Sequence, residues 1–287
     1  MSATADIAND IAPTRVDDGW ARITKSDFSQ DMVSTLTITQ ATAATFSDLF
    51  ISQTFLCFIR SGTKRVVCPI NGEMIASAGD LFIFPPGSIV TLENRPLLDA
   101  HYRADGVYFS RDLIGMAFGD HPQRFGSAIQ IVREAPNNPL DILHLIHETL
   151  GNRDLPDPIR QHRLLEPLIW LRHHGVHLPV EDHANPLAKL RRLIEADPGH
   201  RWRVSEVAGS FAMSEATFRR WLAKSGHGFS KIMHNVRLEI GLTLLQTTDL
   251  QVSQIALDCG FSTPSHFADS FKKRFGIKPM AIRSAGN

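Results

Sequence analysis

Residues 252–276 read VSQIALDCGFSTPSHFADSFKKRFG, and residues 204–226 read VSEVAGSFAMSEATFRRWLAKSG. Val204-Ser205 aligns with Val252-Ser253, Val207-Ala208 with Ile255-Ala256, and Met213-Ser214 with Phe261-Ser262. One added residue later, Phe218 and Leu222 align with Phe267 and Phe271; after one more, Gly226 aligns with Gly276. Each copy predicts a short helix bearing a small residue, a tight turn, and a second helix with apolar residues four apart. Ala208 and Ala256 let the paired helices approach closely, and the turn sets them at a steep angle. The second helix is then free to enter a groove, as a helix-turn-helix requires. A single helical hairpin says little; two in tandem, joined by a long helix, say much more.

The outward faces of the second helices carry the candidate contacts. In SEATFRRWLAK, Phe218 and Leu222 point inward with Trp221 beside them, which leaves Glu215, Ala216, Arg219 and Arg220 outside. An arginine can bond both major-groove acceptors of guanine, so Arg219 or Arg220 is the expected base contact, with Ser214 and Thr217 nearer the phosphates. A solvated basic face is the plainer alternative for both arginines. In TPSHFADSFKKRFG, the spine Phe267, Phe271 and Phe275 turns Ser265, His266, Ala268, Asp269 and Lys272 outward. Lys272 and Lys273 are expected to neutralise phosphates, a sequence-blind contribution. The Asp269 carboxylate can accept from a cytosine amino group; it can equally temper phosphate affinity or pair with Lys273.

Charge supports a polyanion partner for this half only. The net charge of zero over 287 residues hides 15 Lys+Arg against 8 Asp+Glu in residues 184–287, a surplus of +7 balanced by −7 before it. A basic half joined to an acidic half marks where the polyanion binds. No apolar run reaches the ~18 residues of a membrane span, and the polar N-terminus lacks the pattern of a signal peptide. Three widely spaced cysteines suit a reducing cytoplasm better than a disulfide framework.

Across roughly residues 186–284 the sequence resembles the AraC/XylS family of transcription regulators. The stretch from Gly260 to Pro279, G-F-S-x-x-S-x-F-x-x-x-F-K-K-R-F-G-x-x-P, is close to the family signature. So is the connector VRLEIGLTLL, through Arg237, Leu238 and Leu244-Leu245. Gly241 stands where the family has Ala, a change expected to loosen the connecting helix by up to ~1 kcal/mol. Asp269 stands where the family commonly has Arg, which leaves the base contacts of the second motif open. The resemblance implies two motifs on a shared helix, a bipartite and asymmetric site on double-stranded promoter DNA, contact with RNA polymerase, and activation as the usual output.

The first half reads as β-structure. LTIT, TFLCFIR, KRVVCPI, EMIAS, DLFIFPP and SIVTLE are short strand-like runs separated by Gly62, Asn71-Gly72, Gly79 and Pro85-Pro86-Gly87. Asn-Gly between apolar runs signals a hairpin. GDLFIFPPGSIVTLEN resembles the second cupin-barrel motif through Gly79, Pro85, Gly87 and Asn94, but Val90 occupies the histidine position, and Cys68 and Ile70 stand where the first motif supplies two histidines. Turn residues without ligands argue against a metal site, and the resemblance to the AraC/XylS family implies a metal-free, cupin-like domain that binds an effector or a partner. Phe55, Cys57, Val67, Phe82 and Phe84 are the candidate lining of its interior, although apolar packing accounts for them equally well.

The predicted organisation is therefore an α+β two-domain chain. A flexible lead spans 1–19; a cupin-like effector and dimerisation domain spans 20–178, as a barrel to about 110 and then helices; a linker spans 179–185; and a DNA-binding domain of helices spans 186–287. NPLDILHLIHETLG and PDPIRQHRLLEPLIWLRHHG are the helical stretches, the second expected to kink or break at Pro167. Its stripe is Ile159, Leu164, Leu168 and Leu171. The resemblance gives helices 139–173 a role in homodimerisation. His144, His147 and the cluster His173, His174, His177 and His183 have spacings that permit zinc, yet exposed histidines near helix ends are far commoner, and no metal or cofactor is expected. Without a nucleophile–base pair, phosphate loop or metal box, enzyme chemistry has no support. The expected function is a cytoplasmic, sequence-specific DNA-binding regulator answering to a small molecule or protein. A cupin-type enzyme with a helical appendage and a helical protein-interaction adaptor are the competing readings.

Overall fold

A computed structural model describes residues 32–119, 128–179, 186–224 and 228–284. The lead 1–19, most of the linker, Gly226 and His183 lie outside the described residues. Nine strands form two antiparallel sheets. They are β1 (Val33–Gln40), β2 (Ala44–Phe50), β3 (Phe55–Ser61), β4 (Thr63–Cys68), β5 (Gly72–Ser77), β6 (Leu81–Phe84), β7 (Ile89–Arg95), β8 (Tyr102–Phe109) and β9 (Gln130–Val132). One sheet has the order β1-β8-β3-β6-β9 and the other β2-β7-β4-β5. Helices α1 (Arg111–Phe118), α2 (Pro139–Gly151) and α3 (Asp157–His173) follow.

Alternation along the strands decides which layer each side chain joins. On β3 and β6, Cys57, Ile59, Phe82 and Phe84 fill the space between the sheets. Their neighbours Leu56, Phe58, Leu81 and Ile83 pack with Leu143, Ile146, Leu164 and Leu168 of the helices. Both faces of these strands are apolar because both are covered. The Asn71-Gly72 hairpin forms as expected, with Cys68 opposite Gly72 and Gly72 at φ 69°.

Four expectations change. The barrel is an open pair of sheets: among the described residues no ladder joins β1 to β2, and the free edge of β1 is covered by a helix of the C-terminal region instead. Covering removes the unpaired edge as closure would. The short strand β9, in the stretch read as helical, pairs with β6. Helix α3 runs through Pro167 without a break; Pro167 is buried beside Leu164 and Leu168, so packing offsets the missing backbone bond. Ile159, placed on the buried stripe, is exposed.

The C-terminal region contains α4 (Pro186–Ala196), α5 (Val204–Ser210), α6 (Glu215–Lys224), α7 (Phe229–Thr247), α8 (Val252–Asp258) and α9 (Pro264–Phe275), then a 3-10 turn, Pro279–Ile282. One apolar core holds Val207, Phe218, Leu244, Ile255, Phe267 and Phe271 together, and it also takes in Ala44 and Phe46 from β2. Phe46 is fully buried and meets Phe275 edge-on at 5.5 Å. A buried phenyl of this kind contributes roughly 1.5–3 kcal/mol, here to the union of the sheets with α9.

Candidate DNA-binding surface and interdomain cavity

Both repeats fold as helix, turn, helix. In the first, α5 leads into the turn Phe211–Ser214, where Ala212 adopts φ 52° and Met213 N–H donates to the Ala208 carbonyl. Ser214 begins α6 by accepting from the Thr217 N–H at 3.2 Å, and the two hydroxyls lie 2.9 Å apart. In the second, Gly260 turns at φ 75° and Phe261 N–H donates to the Ala256 carbonyl. Thr263 begins α9 by accepting from the His266 N–H. The same bond pattern at both turns makes the repeat structural as well as sequential.

The expected inner residues are buried: Phe218, Leu222, Phe267, Phe271 and Phe275. The expected outer residues Ser214, Ala216, Thr217, Arg219 and Arg220 are exposed on the first motif, as are Ser265, His266, Asp269, Lys272 and Lys273 on the second. Arg219 is held by Glu215 one turn away at 2.7 Å. An exposed pair of this kind contributes a few tenths of a kcal/mol, so a stronger acceptor can take the guanidinium. His266 packs edge-on to Phe261 at 5.4 Å. Among the described residues no ion pair joins Asp269 to Lys273, so that pairing is absent. Arg274, the third cation of KKR, turns inward to Glu239 of α7 and sits apart from the outer face.

Two arginines, Arg237 of the connector signature and Arg283, tie the motifs together through backbone carbonyls distant in sequence. Arg237 of α7 donates to the carbonyls of Pro198, His200 and Gly260, tying the segment before α5 to the turn after α8. A Cβ on Gly260 would stand 2.8 Å from that guanidinium and 2.6 Å from the Pro198 carbonyl, so glycine is needed there for approach as well as for its positive φ. Arg283 gathers carbonyls at the end of α7, among them Leu245 and Thr248.

Between the sheets and α7 lies a cavity of about 310 Å³. Its apolar walls include Leu36 and Ile38 of β1, Phe50 of β2, Phe55 of β3 and Ile240 of α7. Of the five sequence-predicted lining residues only Phe55 reaches it. Cys57, Phe82 and Phe84 pack between the sheets, and Val67 is half-buried on β4 away from the cavity. The cavity lies where the open pair of sheets meets α7, and Ile38, Leu49, Phe55 and Leu92 belong both to its wall and to the packing between the sheets.

Several polar side chains also line this cavity, among them the buried Lys64, Asn94 and Gln246. Lys64 is 3% exposed; its Nζ donates to Asn94 Oδ1 at 2.5 Å and faces no carboxylate within ion-pairing distance among the described residues. Burial pushes its ammonium below the usual lysine range. Asn94 in turn donates to Gln40, which accepts from Gln246 of α7 at 2.8 Å, so a buried polar chain crosses from the lysine to the connector helix. Glu195 and Glu239 line the cavity too, and burial raises both carboxyls, against the pull of Arg191. A largely apolar space with a buried lysine amine on its wall suits a small apolar molecule carrying one polar end. Among the described residues no group of three or more metal-ligating side chains comes together, and no helix is long and apolar enough to cross a membrane.

Comparison with known proteins agrees with this geometry. A helix-turn-helix domain model matches residues 207–285. The transcriptional regulator SirC of Salmonella typhimurium (strain SL1344) is 35% identical over 99 residues, covering 34% of this chain and 34% of its own. The transcriptional activator AggR of Escherichia coli is 37% identical over 91 residues, covering 32% and 34% respectively. The match therefore spans about a third of each relative's length. Across both domains the fold is similar to that of ToxT from Vibrio cholerae O395 bound to (E)-4-(8-methylnaphthalen-1-yl)but-3-enoic acid. That structure has a TM-score of 0.62 and 16% identity over 87% of this chain and 97% of that one. A second ToxT structure, bound to an unsaturated fatty acid, has a TM-score of 0.55 and 16% identity over 86% and 92%. The C-terminal part of this chain is thus a helix-turn-helix domain similar to those of SirC and AggR, carried in a two-domain fold like that of ToxT.

Proposed function

We propose that this chain is a sequence-specific DNA-binding transcription regulator whose output is set by a small apolar organic acid in the interdomain cavity. The observation that supports it best is the pairing of two exposed recognition helices, α6 and α9, on one connector that also forms a cavity wall. Arg219 and Arg220 read bases in one major-groove segment. Ser265, His266 and Asp269 face the next segment, with Lys272 and Lys273 on its phosphates. Ser214, Ala216 and Thr217 fit against the backbone beside the first segment.

The acid rests on the cavity's own chemistry, with its carboxylate on Lys64 and its body along Ile38, Phe50, Phe55 and Ile240; the acids named for the ToxT structures point the same way. The activator names among the relatives support activation through RNA polymerase. Helices α2 and α3 supply the homodimer contact, and the chain works in the cytoplasm without cofactor or catalysis. The test is selection of DNA sites from a random pool by the full chain, with and without decanoate as a probe acid. Enrichment of a two-part motif whose occupancy decanoate alters supports the reading. Binding that rises with falling salt but enriches no motif contradicts it, and no DNA binding at moderate salt favours the adaptor.

A further inference from the structure

Glu239 occupies an unusual position among the cavity residues. Its side chain is 13% exposed, on α7, and its two oxygens are taken by cations from two other helices. Oε2 accepts from Arg191 of α4, and Oε1 accepts from Arg274 of α9 at 2.5 Å. Each arginine also reaches the β-domain. Arg274 donates to the Asp48 carbonyl at 3.4 Å, where a bulge between Phe46 and Leu49 carries Asp48 at φ 53°. The Arg191 guanidinium lies 4.7 Å over the ring of Phe50, itself a cavity wall. The Nε atoms of both arginines are buried without a hydrogen-bond partner, so the Nη contacts to Glu239 hold these two cations in place.

The β-domain grips the two reading motifs unequally. β1 packs on α7 and β2 packs on α9, with Phe46 against Phe275 and the Ala41 N–H donating to the Ile282 carbonyl just beyond α9. No comparable packing joins the sheets to α5 or α6 among the described residues. Whatever changes at the domain boundary therefore reaches the second motif directly, and the first through the connector and through α4, whose Lys189 donates to the Ser210 carbonyl of α5.

We propose that Glu239 is a positioning residue that transmits occupancy of the cavity to the second recognition helix, α9, and leaves the first, α6, unchanged. This rests on the reading of the cavity as an effector site. A ligand body against the cavity face of Glu239 displaces water and lowers the local dielectric, which strengthens its pairs with Arg274 and Arg191. The strengthened pairs hold α9 more firmly against β2. Effector binding thus orders one half of a bipartite reader, so it changes how the second DNA segment is read and how firmly both segments are engaged together.

Hydrogen exchange of the full chain, with and without decanoate, tests this. In wild type, decanoate is expected to slow exchange several-fold across residues 264–275 and to leave residues 215–224 unchanged. In Arg274→Gln, a change outside the cavity lining, decanoate still raises the melting temperature, but the slowing at 264–275 is lost. Glu239→Gln, which alters the lining itself, gives the same loss and serves if Arg274→Gln does not fold. Equal slowing in both motifs, or a response at 264–275 that survives Arg274→Gln or Glu239→Gln, overturns the proposal. If decanoate shifts neither melting nor exchange in wild type, the acid reading fails, and the clamp is judged without ligand. Glu239→Gln should then speed basal exchange at 264–275 and not at 215–224; unchanged basal exchange overturns it.

Discussion

Gly241 shows how a single position can be read one way in sequence and the opposite way in space. In a helix, glycine in place of alanine costs up to ~1 kcal/mol, so a substitution to alanine would stabilise an isolated α7. In the folded chain a Cβ at 241 would lie 2.6 Å from the buried ring of Phe267, closer than real contacts allow. Overpacking of that kind costs about 1–3 kcal/mol, which outweighs the propensity gain. Gly241→Ala is therefore expected to lower the melting temperature by a few degrees in thermal unfolding; a rise would show that propensity wins. The glycine is visible in the sequence. Its reason is not, because Phe267 is its neighbour only after α9 has packed on α7. Asp269 is the converse case: its outward position follows from the phenylalanine spacing alone, and the structure adds that it is free of Lys273.

Elements with local periodicity were the most legible. The two helix-turn-helix units, the long connector and the Asn71-Gly72 hairpin are each encoded within a few residues of one another, and each is present. Strand β9 was not legible, since three residues between helices carry no periodicity, and its identity comes from β6. Nor was sheet closure, because turn glycines and prolines specify bends while strand order depends on long-range pairing. The continuous α3 shows that a buried proline can be accommodated inside a helix. Arg237 gives this level its prediction. Its charged bonds to three carbonyls contribute on the order of 1.5–3 kcal/mol each where the acceptors have no replacement. Arg237→Ala should lower the unfolding free energy of the full chain by at least one such increment, seen as a lower denaturation midpoint with unchanged slope on denaturant. An unchanged midpoint would mean that water serves those carbonyls equally well.

The whole molecule joins a reader to a cavity, and the join was the least legible part. Lys64, Asn94, Gln40, Gln246, Glu239, Arg191 and Arg274 come from six strands and helices of both domains and have no common motif. The sequence directed attention to the interior of a barrel, and the cavity lies where the open pair of sheets meets α7. Lys64 makes the effector account testable by pH. Its folded pKa lies below the usual 10.5 because burial disfavours the charged form, so the folded apo chain releases this proton before the unfolded chain does. Raising pH towards 10.5 therefore favours the folded apo state at this site, while an acid that needs the charged amine binds less well. The melting shift produced by decanoate should shrink as pH rises in that range, and Lys64→Met should abolish the shift at all pH values. A shift indifferent to both would place the acid elsewhere.

The central claim is that α6 and α9 read adjacent stretches of one DNA face. Hydroxyl-radical footprinting of the full chain on a selected site addresses it most directly. The account predicts two protected segments about one helical turn, roughly 10 base pairs, apart. Arg219→Ala with Arg220→Ala should weaken binding roughly 10- to 100-fold and relax sequence preference in one segment. Lys272→Ala with Lys273→Ala should weaken protection of the other and flatten the salt dependence. A single protected segment, or protection untouched by the arginine pair, would contradict it.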